Sequence, residues 1–204
     1  MGQERTLSLV IPAKDEEANI ATLLTEAYGV PDACAQARDA GAEVILALNA
    51  SPFEQGKAQD RLKVAQQRVS ETGLPLIYLN LVGAQDDQVF DGGTFALNPG
   101  GGLAVQMPLF EEDIAHVDLV RGDDGWRIEQ GALAHIPDTL ETDYHAMVLS
   151  LRDYMRKTGF RQVLLGLSGG VDSAIVATIA VDALGAENVR CVMLPSEYTS
   201  QGSL

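Results

Sequence analysis

"LLGLSGGVDSAIVATIA", residues 164–180, is the stretch on which the reading of the fold turns. The apolar run at 162–167 reads as a buried strand that stops at Ser168, Gly169 and Gly170. After Asp172 and Ser173 an apolar segment, 174–184, reads as a helix, and NVRCVML reads as the next strand. Strand, glycine loop, helix and strand in that order open a parallel α/β sheet. A parallel strand that ends in glycines and feeds a helix is suited to an anion. The glycines admit close backbone approach, and the first N–H groups of the helix, with its dipole, favour phosphate. The lysine of the common nucleotide loop, GxxxxGK[ST], is absent, and so is GxGxxG. Ser168 and Ser173 instead offer hydroxyls to phosphate oxygens, and Asp172 offers a carboxylate to Mg²⁺ beside them. As a plain strand–helix turn the same residues would use Ser173 only as an N-cap; the six-residue pattern in this frame favours the anion site.

Working outward, LSLVIP (7–12) reads as a strand, and 16–28 reads as an amphipathic helix with Ile20, Leu23 and Leu24 on one face. A helix opens at Pro31 and ends at Gly41. EVILALN (43–49) is a strand apolar enough to be covered on both faces. Residues 57–71 form a helix with Leu62, Val64, Ala65 and Val69 inward, and LPLIYLNL (74–81) is the next strand. The period then shortens: VFDGGTFALN, LAVQMPL and IAHVDL read as short strands separated by Gly, Asn-Pro and acidic turns. Residues 121–142 read as a polar linker, and a helix begins at Asp143 and runs to Phe160.

The chain has 204 residues, 29 acids against 14 bases, a net charge of −15 and 46% hydrophobic residues. That composition supports a folded core. It argues against a nucleic-acid partner, whose phosphates require Lys and Arg. No apolar run approaches the roughly 20 residues that span a bilayer, so no membrane partner is expected. MGQERT fits a short myristoylation pattern through Gly2 and Thr6, but the following residues read as a buried strand. Cys34 and Cys191 are far apart and suggest neither a disulfide frame nor a metal site, which fits a cytoplasmic location. His116, His135 and His145 lack ligand spacing, and Glu111–Asp113 reads as a solvated turn.

SGGVDS resembles the pyrophosphate loop of the ATP-pyrophosphatase superfamily, whose members transfer AMP from ATP to a carboxylate or carbonyl and release pyrophosphate. With LALNASPFEQGK (46–57), LPLIYLNLVGAQDDQVFDGGTF (74–95) and MLPSEYTSQGSL (193–204), the chain is similar to glutamine-dependent NAD synthetases over roughly 29–204. The resemblance implies a nitrilase-like αββα glutaminase joined to a synthetase, with ATP and Mg²⁺ as cofactors. Deamido-NAD and glutamine, or ammonia, are the other small-molecule partners. It implies that Ser51 and Lys57 hold glutamine. It implies further that Ser168, Gly169, Gly170, Asp172 and Ser173 hold ATP, with Asp172 on the metal and Met193 on the adenosine side. Without the resemblance, Lys57 would read as a solvated lysine at a helix start.

Nitrilase-like glutaminases use a Glu, a Lys and an activated Cys as one unit. In the register TEAYGVPDA, Thr25 stands where the cysteine is expected and only Glu26 matches, so no catalytic residue is assigned. Cys34 reads as a small packed side chain. Residues 7–27 resemble the opening of inverting glycosyltransferases, with Asp15 near the nucleotide. The expected organisation is a glycosyltransferase-like leader at 1–28, a partial nitrilase-like domain at 29–138, and the first β-loop-α-β of a parallel-sheet ATP-pyrophosphatase domain at 139–204. On this reading the chain is an incomplete or chimeric, inactive form that forms homo-oligomers or aggregates. Three alternatives stay open: another amidating ATP pyrophosphatase, a non-catalytic assembly module, and a fragment of a nucleotide-sugar glycosyltransferase.

Overall fold

The computed structural model describes residues 8–10 and 33–193. The expected helix at 16–28, with Thr25 and Glu26, lies outside them, as does the segment after Met193. The chain divides into two compact units. One holds the residues up to Val82 and Phe90–Pro137; the other holds Gly83–Val89 and the residues from Asp138 onward.

The first unit is built on a five-stranded sheet in the order β1-β2-β3-β6-β7. β1 (Ser8–Val10), β2 (Ile45–Asn49) and β3 (Leu76–Asn80) run parallel. β6 (Phe95–Leu97) and β7 (Leu103–Gln106) add antiparallel strands. Between β3 and β6 the chain forms the two-stranded sheet of β4 (Val82–Gln85) and β5 (Gln88–Asp91). The two helices are α1 (Ala33–Asp39) and α2 (Lys57–Thr72). Ile45, Leu76, Phe95 and Leu97 meet Ala65 and Val69 of α2 in one buried cluster, with Cys34 and Leu62 packed at its border. Cys34 is therefore packed against the core, as its place on an amphipathic helix suggested.

The other sheet face is covered only in part. Ala96, Ala104 and Val105 pack with Ile128, helped by Val117 and Leu119. Leu48 and Leu79, paired in register on that same face, remain 42% and 46% exposed. The expectation that β2 is covered on both faces therefore fails. The apolar run is real, but among the described residues the cover from 117–128 packs on β6, β7 and Ile77 of β3, and leaves Leu48 and Leu79 exposed.

Three local expectations also need correction. The strand expected at 114–119 lies instead at β8 (Leu119–Gly122), and Ile114 is exposed. The first part of the expected linker is the partner strand β9 (Gly125–Ile128), joined to β8 by the two residues Asp123 and Asp124. A two-residue acidic turn against a glycine is a hairpin signal, which the polar composition masked. Glu43 fastens the hairpin, accepting from Arg121 at 2.7 Å and from the Trp126 ring nitrogen at 3.2 Å. VFDGGTFALN, expected as one strand, breaks at Gly92–Gly93. Both glycines have positive φ, 68° and 67°, and a Cβ at Gly92 would fall 2.5 Å from the Val82 side chain.

In the second unit, α3 (Thr139–Thr158) starts four residues before the expected position. Asp138 caps it, accepting from the Glu141 amide at 3.0 Å. Its face carries Ala146, Leu149 and Met155 inward, and also the buried Asp153. That carboxylate accepts from the Ala84 amide at 2.9 Å and lies 3.2 Å from Arg156. Lys157 donates to the Ala84 carbonyl. The segment Gly83–Val89 is thus seated on α3 by paired polar groups.

The β2 asymmetry gives a direct test. Ile45→Ala is expected to destabilise the chain by about 2–5 kcal/mol through a cavity in the α2-side core. Leu48→Ala, three residues later on the open face, is expected to cost under about 1 kcal/mol. Urea unfolding of the two variants checks this, and equal losses would show that the second face is covered in solution.

Candidate functional site

The glycine loop lies in the second unit, between β10 (Val163–Gly166) and α4 (Val171–Leu184). β10 pairs in parallel with β11 (Val189–Val192), and the Leu167 amide donates to the Val192 carbonyl at 2.9 Å. The loop therefore leaves the carboxyl end of a parallel pair, where open α/β sheets receive ligands. Met193, the next residue of the neighbouring strand, emerges at that same end and is 41% exposed.

The helix begins at Val171, three residues earlier than expected, with Gly170 as its N-cap in extended backbone. Asp172 and Ser173 thus sit in the first turn rather than in the loop. The Ser173 hydroxyl turns back to donate to the Gly170 carbonyl at 3.0 Å and accepts from the Ser168 amide at 3.3 Å. The Ser168 hydroxyl accepts from the Gly170 amide at 3.3 Å and lies 3.1 Å from the Ser173 hydroxyl. Gly169, at φ 78°, makes this fold-back possible. The outcome is a tight exposed loop with both hydroxyls together, above a helix start whose first amides have no partner within the helix.

Among the described residues no group of three or more His, Cys, Asp or Glu could hold a metal. Asp172 alone fits Mg²⁺ in its usual manner, in which one carboxylate is completed by substrate phosphates and water. The nearby α3–α4 contact is fixed by the Tyr144 hydroxyl, which donates to Asp182 at 2.5 Å. That bond to a carboxylate raises the Tyr144 pKa. Ile179 and Ala180 are the buried residues of α4.

The two residues expected to hold glutamine lie in the first unit, on the loop after β2 and at the start of α2. Lys57 is the first residue of α2 and pairs with Glu54 at 2.7 Å. Ser51 is part of a buried polar network that inspection of the sequence missed. Its amide donates to the Asn80 side-chain oxygen at 2.8 Å, and its carbonyl accepts from the Asn80 nitrogen at 3.2 Å. Arg61 donates to the Ser51 hydroxyl at 3.2 Å, to the carbonyls of Ser51 and Pro52 at 3.0 and 2.9 Å, and to both Asp91 oxygens at 2.8 Å. Arg61 and Asp91 are 8% and 1% exposed, a buried and fully bonded ion pair. Tyr78 is stacked on Phe95 with centroids 4.9 Å apart, and its phenol is hydrogen-bonded to the Ser51 side chain. Burial pushes its phenol above the ordinary range, while the Arg61 charge and the Ser51 hydrogen bond draw it partly back.

One signal could have found the network. Arg61 stands on the stripe Arg61, Ala65, Val69 of α2, a charged residue at the head of an otherwise buried helical face. A lone arginine there needs a buried acid, and Asp91 closes the apolar strand β5.

The two α/β units thus carry two local polar sites, the Ser51 loop on a mixed sheet and the glycine loop on a parallel strand pair. The chain belongs to the carbon-nitrogen hydrolase family, which matches residues 5–124, and the NAD synthase family matches residues 143–204. The first match includes the segment with the glycosyltransferase-like resemblance, most of which lies outside the described residues. The chain is 59% identical over 174 residues to the glutamine-dependent NAD(+) synthetase of Rhodobacter capsulatus, covering 85% of this chain and 32% of that protein. It is 42% identical to that of Acinetobacter baylyi, covering 79% and 30%. Among solved structures, glutamine-dependent NAD+ synthetase from Acinetobacter baumannii in complex with ADP matches with TM-score 0.78 and 40% identity, over 83% of this chain and 32% of that one. The chain thus spans about a third of the length of the curated relatives it matches.

The loop geometry makes a prediction about Gly169. A β-branched residue at φ 78° is strained, so Gly169→Val is expected to destabilise the second unit by about 1–3 kcal/mol. Ser173→Ala, which removes one exposed hydroxyl, is expected to cost under about 1 kcal/mol. Urea midpoints read both effects.

Proposed function

We propose that this chain carries two parts of glutamine-dependent NAD synthesis: a glutamine subsite and the phosphate loop of an ATP-dependent amidating unit. The reaction joins deamido-NAD, ATP, glutamine and water to give NAD, AMP, pyrophosphate and glutamate. Adenylation turns the carboxylate into an electrophile, and ammonia released from glutamine displaces AMP. The observation that carries the reading is the Ser168–Ser173 loop. Two hydroxyls, a left-handed glycine and a helix start converge at the carboxyl end of a parallel strand pair.

In this reading Ser168, Gly169, Gly170 and Ser173 hold phosphate, and Asp172 holds Mg²⁺ shared with it. When bound, Mg²⁺ neutralises phosphate charge and supports departure of pyrophosphate. Met193 flanks the adenosine. In the first unit Ser51 and Lys57 contact glutamine, with the Lys57 charge suited to a carboxylate. Thr25 stands at the nucleophile register, so glutamine hydrolysis is not expected of these residues. Cys34, packed on the core, does not replace the nucleophile. None of the described helices is long and apolar enough to cross a membrane, and neither cysteine is in a disulfide; we read the location as cytoplasmic. Self-association through the open face at Leu48 and Leu79 fits the same reading.

Calorimetric titration with Mg²⁺ tests the loop. An exposed loop that grips only phosphate is expected to bind pyrophosphate near millimolar, about −4 kcal/mol, and ATP about equally. Asp172→Asn is expected to abolish the Mg²⁺ dependence. Absence of pyrophosphate binding would overturn the phosphate assignment. Micromolar ATP with strong preference over pyrophosphate would show a fuller nucleotide pocket than the loop supplies. Glutamate release from glutamine that Cys34→Ala abolishes would overturn the reading of Cys34 as a packed side chain.

A further inference from the structure

All three nitrogens of the Arg61 guanidinium are engaged: Nε by Ser51 Oγ, Nη2 by the Ser51 and Pro52 carbonyls, and Nη1 by the two Asp91 oxygens. A guanidinium bonded through all three nitrogens, with its acid partner buried, cannot rotate without breaking several bonds at once. Asn80 holds the Ser51 backbone from the other side, accepting from its amide and donating to its carbonyl. What freedom remains at Ser51 is in the hydroxyl.

A serine hydroxyl has one proton and two lone pairs, and can face a ligand as donor or acceptor. Arg61 can only donate, so its Nε–H occupies a lone pair of Ser51 Oγ and leaves the proton to point elsewhere. We infer that Arg61, locked by Asp91, is a positioning residue that fixes Ser51 as a hydrogen-bond donor, so that the subsite takes an acceptor oxygen, the carboxylate or amide carbonyl of a glutamine-like ligand. The Ser51 side chain is also hydrogen-bonded to the Tyr78 phenol, so the proton that Arg61 leaves free has the Tyr78 oxygen beside it. A ligand oxygen replaces Tyr78 without any change at Arg61. The inference rests on the reading of Ser51 as a glutamine contact.

The test has two arms, and the first needs no ligand. Tyrosine is labelled with carbon-13 at Cζ, and the Tyr78 resonance is assigned by its loss in Tyr78→Phe. Ser51→Ala removes the hydrogen bond and is expected to move that resonance at neutral pH. Arg61→Lys, which keeps the charge but not the fork of donors, is expected to move it in the same direction. Should Arg61→Lys fail to fold, Arg61→Met with Asp91→Leu replaces the pair by apolar side chains, a change that buried pairs often tolerate. A Tyr78 resonance that ignores loss of Arg61 overturns the inference.

The second arm follows glutamine binding by chemical-shift titration. Arg61→Lys is expected to weaken it about fivefold to tenfold, the effect of one misdirected hydrogen bond. In the Ser51→Ala background the same change is expected to add nothing. An additive effect shows that Arg61 does not act through Ser51, and overturns the inference. If glutamine does not bind the parent chain while Tyr78 still responds to Arg61, the glutamine reading fails and the orientation of Ser51 stands.

Discussion

The first unit depends on the pair Arg61–Asp91. An arginine and an aspartate that are 8% and 1% exposed cost several kcal/mol each in lost hydration, and only full bonding offsets this. The pair therefore dictates what lies around it. It holds α2 against the end of β5 and draws the carbonyls of Ser51 and Pro52 inward, while Asn80 shares the Ser51 carbonyl and accepts from the Ser51 amide. The loop after β2 is irregular backbone near a core, where unpaired groups would be expensive. Arg61 and Asn80 supply its partners, and its shape follows from theirs.

The second unit builds its site by a different route. The glycine loop uses no buried charge. Its order comes from short backbone and hydroxyl bonds among residues 168–173, and from the parallel pair that sets where the strand ends. Such a loop is local, with a span of six residues and an open face. The subsite around Ser51 gathers residues 51, 61, 80 and 91 from four segments, so it exists only when the whole sheet is in register.

That difference explains what was legible in the sequence. SGGVDS carries its frame with it: apolar strand before, helix after, glycines between. Strand, loop and helix could be placed to within three residues, the error being that Gly170 rather than Ser173 caps the helix. The α/β class, the helix at 57–72 and the strand at 76–80 followed from periodicity and from glycine stops. The hairpin at 119–128 did not, because Asp123 and Asp124 read as linker composition and the anchoring Glu43 lies some 80 residues away. Nor did the exposure of Leu48 and Leu79, since apolarity shows a preference for cover and not its presence. Ser51 was singled out by resemblance alone. Arg61, Asn80 and Asp91 act across the fold, and no short pattern joins them.

Arg61 and Asp91 act as one buried unit on which the Ser51 loop rests. A double-mutant cycle on stability measures their coupling, with Arg61→Met, Asp91→Leu and both together, each followed by urea unfolding. Either single change leaves a buried charge without its partner and is expected to cost about 3–5 kcal/mol. The double change is expected to cost far less than their sum, with a coupling of at least about 2 kcal/mol. Additive losses, or single losses under about 1 kcal/mol, would mean that the two residues are not paired in solution and that the Ser51 loop takes its shape from something else.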